Sequence, residues 1–250
     1  MFNQKEKTHL IISIVIFGFI FGFNDNQAVF NLLNWVINFI RAIISASLIL
    51  IVYEITHKIV AKRYMASTEY ELWGIKRYGF FRSQKFPKKI FNYTINSYPL
   101  GIIISIIATL LSSGTFYITL LSTFNVKEYP YLRIGAKFRG LTHFEEAKIA
   151  ASSILVLILL AAISNVIIPK VIFNQLTLMI FVFILWHLLP ISSLDGSKIF
   201  FGSVPLYVAI ASFSIISYFL MSSLSIFASL IISAAAAIFL VFLYIWFKKS

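Results

Sequence analysis

Seven apolar blocks leave this chain few ways to fold. They cover residues 8–23, 35–60, 99–124, 147–168, 171–189, 205–221 and 224–247. A helix needs roughly 20 apolar residues to cross a bilayer, and lipid cannot satisfy the open backbone of an irregular segment. Helix is therefore expected for the full crossings. Overall, 60% of the 250 residues are hydrophobic, against roughly 45–50% in a soluble domain. No polar stretch is long enough for a second core, so residues 1–250 read as a single membrane domain, an all-α polytopic membrane protein. The first block follows Lys5 and Lys7 like a signal peptide. It lacks a small-x-small cleavage site and reads as an anchor.

The net charge of +12 would suggest nucleic acid in a soluble protein. Here the bases sit between apolar blocks, where they orient a membrane protein. No nucleic-acid partner is expected, and the lipid bilayer is the first partner. There are no cysteines, so any metal site must use His, Asp, Glu or Tyr.

The third block is 26 residues long, too short for two helical crossings. Ser112-Ser113-Gly114 interrupts it, and the following Thr115-Phe116-Tyr117-Ile118-Thr119 is rich in β-formers, where short strands are expected. Charge arbitrates. Nine Lys/Arg lie from Lys58 to Lys89 and five from Lys127 to Lys148. A block that enters and returns keeps both groups on one face, together with Lys5, Lys7, Lys198, Lys248 and Lys249. This gives about six transmembrane helices plus a re-entrant hairpin. Both termini and the basic loops 76–98 and 125–146 are then cytoplasmic. Gln84 and Lys137 should share that face. The wealth of Ile, Asn and Lys suggests an AT-rich prokaryotic genome, hence a prokaryotic cell membrane.

Ionisable residues inside a span are costly and mark function by default. Tyr53, Glu54 and His57 fall within one turn near the end of the second block, and Asp195 follows the fifth. The Tyr53-Glu54-x-x-His57 spacing is that of His-Glu-x-x-His, in which two His hold zinc and Glu activates the bound water. Alone, Glu-x-x-His is equally met by a helix end whose polar residues have reached the headgroups.

Residues 187–198 read His-Leu-Leu-Pro-Ile-Ser-Ser-Leu-Asp-Gly-Ser-Lys. They resemble the N-x-x-P-x-x-x-L-D-G signature of the site-2 protease family, the intramembrane zinc metalloproteases. Pro190, Leu194, Asp195 and Gly196 match in register, and His187 stands at the Asn position. His57-Lys58-Ile59-Val60-Ala61-Lys62-Arg63-Tyr64 is similar to the family's continuation of the first motif. Glu146-Ala147-Lys148-Ile149-Ala150 resembles the start of the helix before the Asp-Gly helix, without the Gly-Pro motif that follows there. The likeness covers residues 48–202, a site-2-protease-like core.

The resemblance implies Glu54 as general base and His57 and Asp195 as zinc ligands, with Tyr53 in place of the first histidine. Pro190 and Gly196 support the motif or the substrate. A phenol is a poor ligand unless the metal deprotonates it. Either Tyr53 binds as phenolate or His187 supplies the missing nitrogen. On a straight helix His187 would stand about 12 Å from Asp195, so the chain would have to fold back at Pro190. His187 otherwise reads as a polar residue replacing an amide. Two functions remain open. One is an intramembrane metallopeptidase with zinc as cofactor; the other is a non-catalytic pseudoprotease that binds a transmembrane helix of a partner. A transporter lacks support, since no inverted repeat is present.

Overall fold

The computed structural model describes residues 2–25, 27, 30–75, 88–90, 93–95, 97–128, 140–167, 170–221 and 223–249. Gln84 and Lys137, and most of the two basic loops, lie outside the described residues. The chain is predominantly helical, and the described residues also form two small two-stranded sheets.

Helix α1 (Gln4–Gly22) opens with a capping box: Asn3 caps the first turn, and Glu6 reaches back to the Asn3 backbone N–H. Helix α2 (Leu32–Arg63) is capped by Asn31. Its 32 residues make it about 48 Å long, well beyond a hydrocarbon core of about 30 Å. Gly18 and Gly22 are one turn apart on α1 and let α2 approach closely. A Cβ on Gly18 would lie 2.5 Å from Ile43 Cγ1, and one on Gly22 2.7 Å from Phe39 Cδ2. Small residues four apart serve this purpose in membrane helix pairs.

Strand β1 (Ala66–Leu72) follows α2. The short strands β2 (Lys88–Ile90) and β3 (Tyr93–Ile95) pair with each other. Helix α3 (Leu100–Leu111) comes next, then strand β4 (Ser122–Glu128). β4 pairs antiparallel with β1, from Ala66 opposite Glu128 to Leu72 opposite Ser122. The third apolar block is therefore a hairpin with one helical arm and one extended arm. Trp73 ties its two ends together: Gly101 N–H donates to the Trp73 carbonyl, and Trp73 N–H donates to the Leu121 carbonyl. The tip turns at Ser113 (φ 52°) and Gly114 (φ 74°) and lies against Phe23 and Asn24. The ladder forms at 122–128 and not at Thr115–Thr119. Tyr117 instead stacks on Phe21 at 4.3 Å, and its carbonyl accepts a bond from Trp186 Nε1 at 2.8 Å.

Helices α4 (His143–Ile167), α5 (Lys170–His187), α6 (Asp195–Gly202), α7 (Val204–Met221) and α8 (Ile226–Lys249) complete the chain. Among the described residues, four helical stretches are long and apolar enough to cross a membrane: Leu32–Arg63, His143–Asn165, Val204–Met221 and Ile226–Lys248. One continuous apolar core joins buried residues of α1, α2, β1, β4 and α4 to α7.

Polar contacts gather at two levels along α2. At its start, Asn38 donates to the Gly22 and Asn24 carbonyls and accepts from Gln175. Near its end, Lys58 meets Glu6 and the Thr68 carbonyl. Twenty residues of helix separate Asn38 from Lys58, about 30 Å, which is the thickness of a bilayer's apolar core.

Candidate functional site: a buried polar cluster

One turn inside the Lys58 level, α2 places Tyr53, Glu54 and His57 against the start of α6. All three are fully buried, as are His187 and Asp195. The Tyr53 hydroxyl donates to Asp195 Oδ2 at 2.7 Å. His57 Nε2 lies 3.7 Å from the same oxygen, and His57 Nδ1 lies 3.8 Å from Glu54 Oε2. The structure thus brings Tyr53, Glu54, His57 and Asp195 together from two distant segments.

The chain between α5 and α6 makes this possible. Pro190 has no N–H to continue a helix, and Ser192 adopts φ 53°. The segment doubles back, so that a Cβ on Gly196 would sit 2.0 Å from the Leu188 carbonyl oxygen. Only glycine allows that approach, which sets Asp195 at the head of α6. Leu188's carbonyl also accepts a bond from the Tyr207 hydroxyl at 3.0 Å. Pro190 and Gly196 therefore shape the backbone that carries Asp195.

His187 ends α5 beside the cluster. Its ring is 5.7 Å from that of Tyr53 and stacks on Phe183 at 3.8 Å. Both of its nitrogens have partners: Nδ1 is 2.9 Å from the Phe183 carbonyl, and Nε2 is 3.3 Å from Ser122 Oγ. With Nδ1 bonding to a carbonyl, Nδ1 carries the proton and Nε2 accepts from the serine.

Two lysines reach the cluster. Lys58 Nζ is 2.6 Å from Glu6 Oε1 and 3.3 Å from Glu54 Oε1. Glu6 also accepts from the backbone N–H groups of Asn3 and Tyr70. Lys198 donates to the Phe124 carbonyl and lies over the Phe124 ring, which itself packs 4.2 Å from His57. Glu6 has no part in the sequence motifs. Its signal is the Asn-x-x-Glu capping box and a lone acid between Lys5 and Lys7 that is nearly buried.

Zinc is the cofactor that the resemblance implies, and the donor set can be tested against it. His57 Nδ1 and Nε2, both oxygens of Glu54 and Asp195 Oδ1 are buried without a hydrogen-bond partner. The 3.7 Å between His57 and Asp195 suits two ligands that each bind at about 2 Å. A third ligand is not found among the described residues. Tyr53 commits its hydroxyl proton to Asp195, and His187 is engaged on both nitrogens. Among the described residues, no three of His, Asp and Glu form a metal-holding group. The three-ligand set of a catalytic zinc is not completed among the described residues. Compared with family models, curated proteins and solved structures, the chain matches none.

Proposed function

We propose that this chain is a multi-pass membrane protein with a site-2-protease-like core that has given up hydrolysis and serves to hold a transmembrane helix of a partner. In this reading α1, α2, α4, α5, α7 and α8 cross the bilayer. The α3 hairpin enters and returns, and both termini are cytoplasmic. The observation that carries the proposal is the 2.7 Å hydrogen bond from Tyr53 to Asp195. It stands where the family's first histidine would meet the metal, and it ties a protonated phenol to a carboxyl group that would otherwise be a zinc ligand. A hydrolytic centre needs an open coordination position and three protein ligands. A helix-holding core needs only a rigid buried cluster, and the Tyr53–Asp195 bond supplies rigidity between α2 and α6.

A second reading is an intramembrane zinc metallopeptidase whose Tyr53 or His187 rearranges on metal binding. Its support is that Glu54, His57 and Asp195 carry buried polar atoms that make no hydrogen bond, Lys58 meeting Glu54 as an ion pair alone. Buried polar groups usually have partners, and the His57 ring stands between Glu54 and Asp195.

Metal analysis of the full chain, purified in detergent after growth with zinc, separates the two. The first reading expects wild type to carry far less than one zinc per chain. It expects Tyr53→His to approach one per chain, and Glu54→Gln in that background to abolish any cleavage that appears. One zinc per wild-type chain, lost in Tyr53→Phe or His187→Asn, would establish the second reading.

A further inference from the structure

The sheet of β1 and β4 has two outward edges, and a lysine reaches each. On β4, Lys198 of α6 donates to the Phe124 carbonyl, and the Thr123 hydroxyl donates to the Ser193 carbonyl. The α5–α6 segment therefore lies against that side. On β1 the cover is two side chains. Lys58 Nζ donates to the Thr68 carbonyl at 2.9 Å, and Glu6 Oε1 accepts from the Tyr70 backbone N–H at 3.1 Å. The same Glu6 oxygen meets Lys58 Nζ at 2.6 Å, which closes a ring over Thr68 and Tyr70.

That ring imitates a neighbouring strand. In an antiparallel ladder, the carbonyl of one residue and the N–H of the residue two further on meet an N–H and a carbonyl of the next chain. The Lys58 ammonium stands where that N–H would stand, and the Glu6 carboxylate where that carbonyl would. Each half also has a second partner. Lys58 lies 3.3 Å from Glu54 Oε1, and Glu6 Oε2 accepts from the Asn3 N–H in the capping box. Opening the ring therefore leaves each charge with a partner. Space lies beside it: a cavity of about 390 Å³ runs along Ser67, Thr68 and Glu69, and α2 faces it with Ile55 and Ile59. Both isoleucines are exposed, so the wall opposite the strand is apolar.

We infer that the outward edge of β1 is a pairing site for an extended peptide segment, and that the Glu6–Lys58 ion pair is its seal. An incoming chain takes over the backbone bonds to Thr68 and Tyr70 and lays an apolar side chain against Ile55 and Ile59. Open strand edges pair readily with other chains, and lysine on the edge is one of the devices that prevent it. In strand addition the backbone bonds give affinity and alternate side chains give selection. Lys58 also meets Glu54, so a peptide that displaces it turns its charge toward the buried cluster. The inference does not depend on whether that cluster hydrolyses anything or holds a helix.

The test uses the full chain in detergent and a fluorescein-labelled heptapeptide of alternating Val and Thr, with binding read by fluorescence anisotropy. Glu6→Ala removes the acceptor and opens the seal, whereas Glu6→Gln keeps an oxygen for both Tyr70 and Lys58. Glu6→Ala should bind the peptide roughly tenfold more tightly than wild type, the scale of one hydrogen bond no longer displaced. Glu6→Gln should stay within about twofold of wild type. Pairing along one edge uses every second N–H. N-methylation of all Val or of all Thr should therefore weaken binding roughly tenfold or more in one case and far less in the other. Wild type should show the same contrast at about tenfold higher peptide concentration, which keeps the test decisive if Glu6→Ala does not fold. Hydrogen exchange at the Tyr70 amide should slow when the peptide binds. Equal effects of the two methylation patterns, equal affinity of all three proteins, no binding to wild type or Glu6→Ala, or Tyr70 exchange unchanged by bound peptide would each overturn the inference.

Discussion

Removing one oxygen tests the bond on which the functional reading rests. Tyr53→Phe deletes the hydroxyl that donates to Asp195 Oδ2 at 2.7 Å and keeps the ring packed against Phe183 and His57. Both residues are fully buried, so no solvent replaces the lost donor. Asp195 Oδ1 is already without a partner. The variant therefore leaves neither carboxyl oxygen with a hydrogen bond among the described residues. A hydrogen bond of this kind contributes about 1–3 kcal/mol, and an orphaned buried acceptor costs a similar amount. We expect Tyr53→Phe to destabilise the protein by about 2–3 kcal/mol. Equilibrium unfolding in mixed micelles would read this, together with Asp195→Leu and the double variant. Because the two groups act on each other, the double variant should cost about 1–3 kcal/mol less than the two single costs added together. If the costs add to within about 0.5 kcal/mol, the two side chains are not coupled. The Tyr53–Asp195 bond then does not tie α2 to α6.

Lys58→Met should destabilise by about 3 kcal/mol or more, because it strands Glu6 and Glu54, which are paired with the same ammonium, as uncompensated buried acids. Glu6→Gln in the same assay should cost less, since its amide oxygen still accepts from Lys58. Equal costs would refute the shared pairing. Gly196→Ala should reduce folded yield severely, because the new methyl would meet the Leu188 carbonyl carbon and oxygen at 2.2 and 2.0 Å, and backbone cannot rotate away as a side chain can. A wild-type unfolding midpoint for that variant would mean that the chain reversal at residues 188–194 has room for a side chain after all.

The membrane character was legible because it is written in consecutive residues. The blocks at 35–60, 147–168, 205–221 and 224–247 correspond closely to α2, α4, α7 and α8. The interruption at Ser112-Ser113-Gly114 also marks a real turn. The strands were less legible. Thr115–Thr119 has the composition of a strand but no strand partner among the described residues, and Tyr117 is committed to Phe21 and Trp186. The strand that does pair with 122–128 is Ala66–Leu72, whose polar sequence Ala-Ser-Thr-Glu-Tyr-Glu-Leu sits just past a helix end. Its signal is the alternation that buries Ala66, Thr68 and Tyr70. Period-two patterns this short are easily lost beside long apolar runs.

The polar cluster divides the same way, between what spacing fixes and what depth fixes. Tyr53, Glu54, His57 and Lys58 share a helix turn, so their company follows from the 3.6-residue period alone. Glu6 lies 52 residues from Lys58, and Asp195 lies 142 from Tyr53. No local pattern joins them. Depth does: Glu6 is in the first turn of α1, and Lys58 is in the last two turns of α2. Two antiparallel neighbours in a membrane bring those ends to one level. The same rule pairs Asn38 near the start of α2 with Gln175 early in α5 at the opposite level. In a bilayer an unpaired polar group is costly wherever it lies. Partners must therefore be found within a thin slab rather than over a whole surface. Counting residues from each helix end to its polar group gives that slab coordinate directly from sequence. For this chain the count groups Glu6 with Lys58, to which no motif connects it, and Lys58 in turn reaches Glu54 on its own helix.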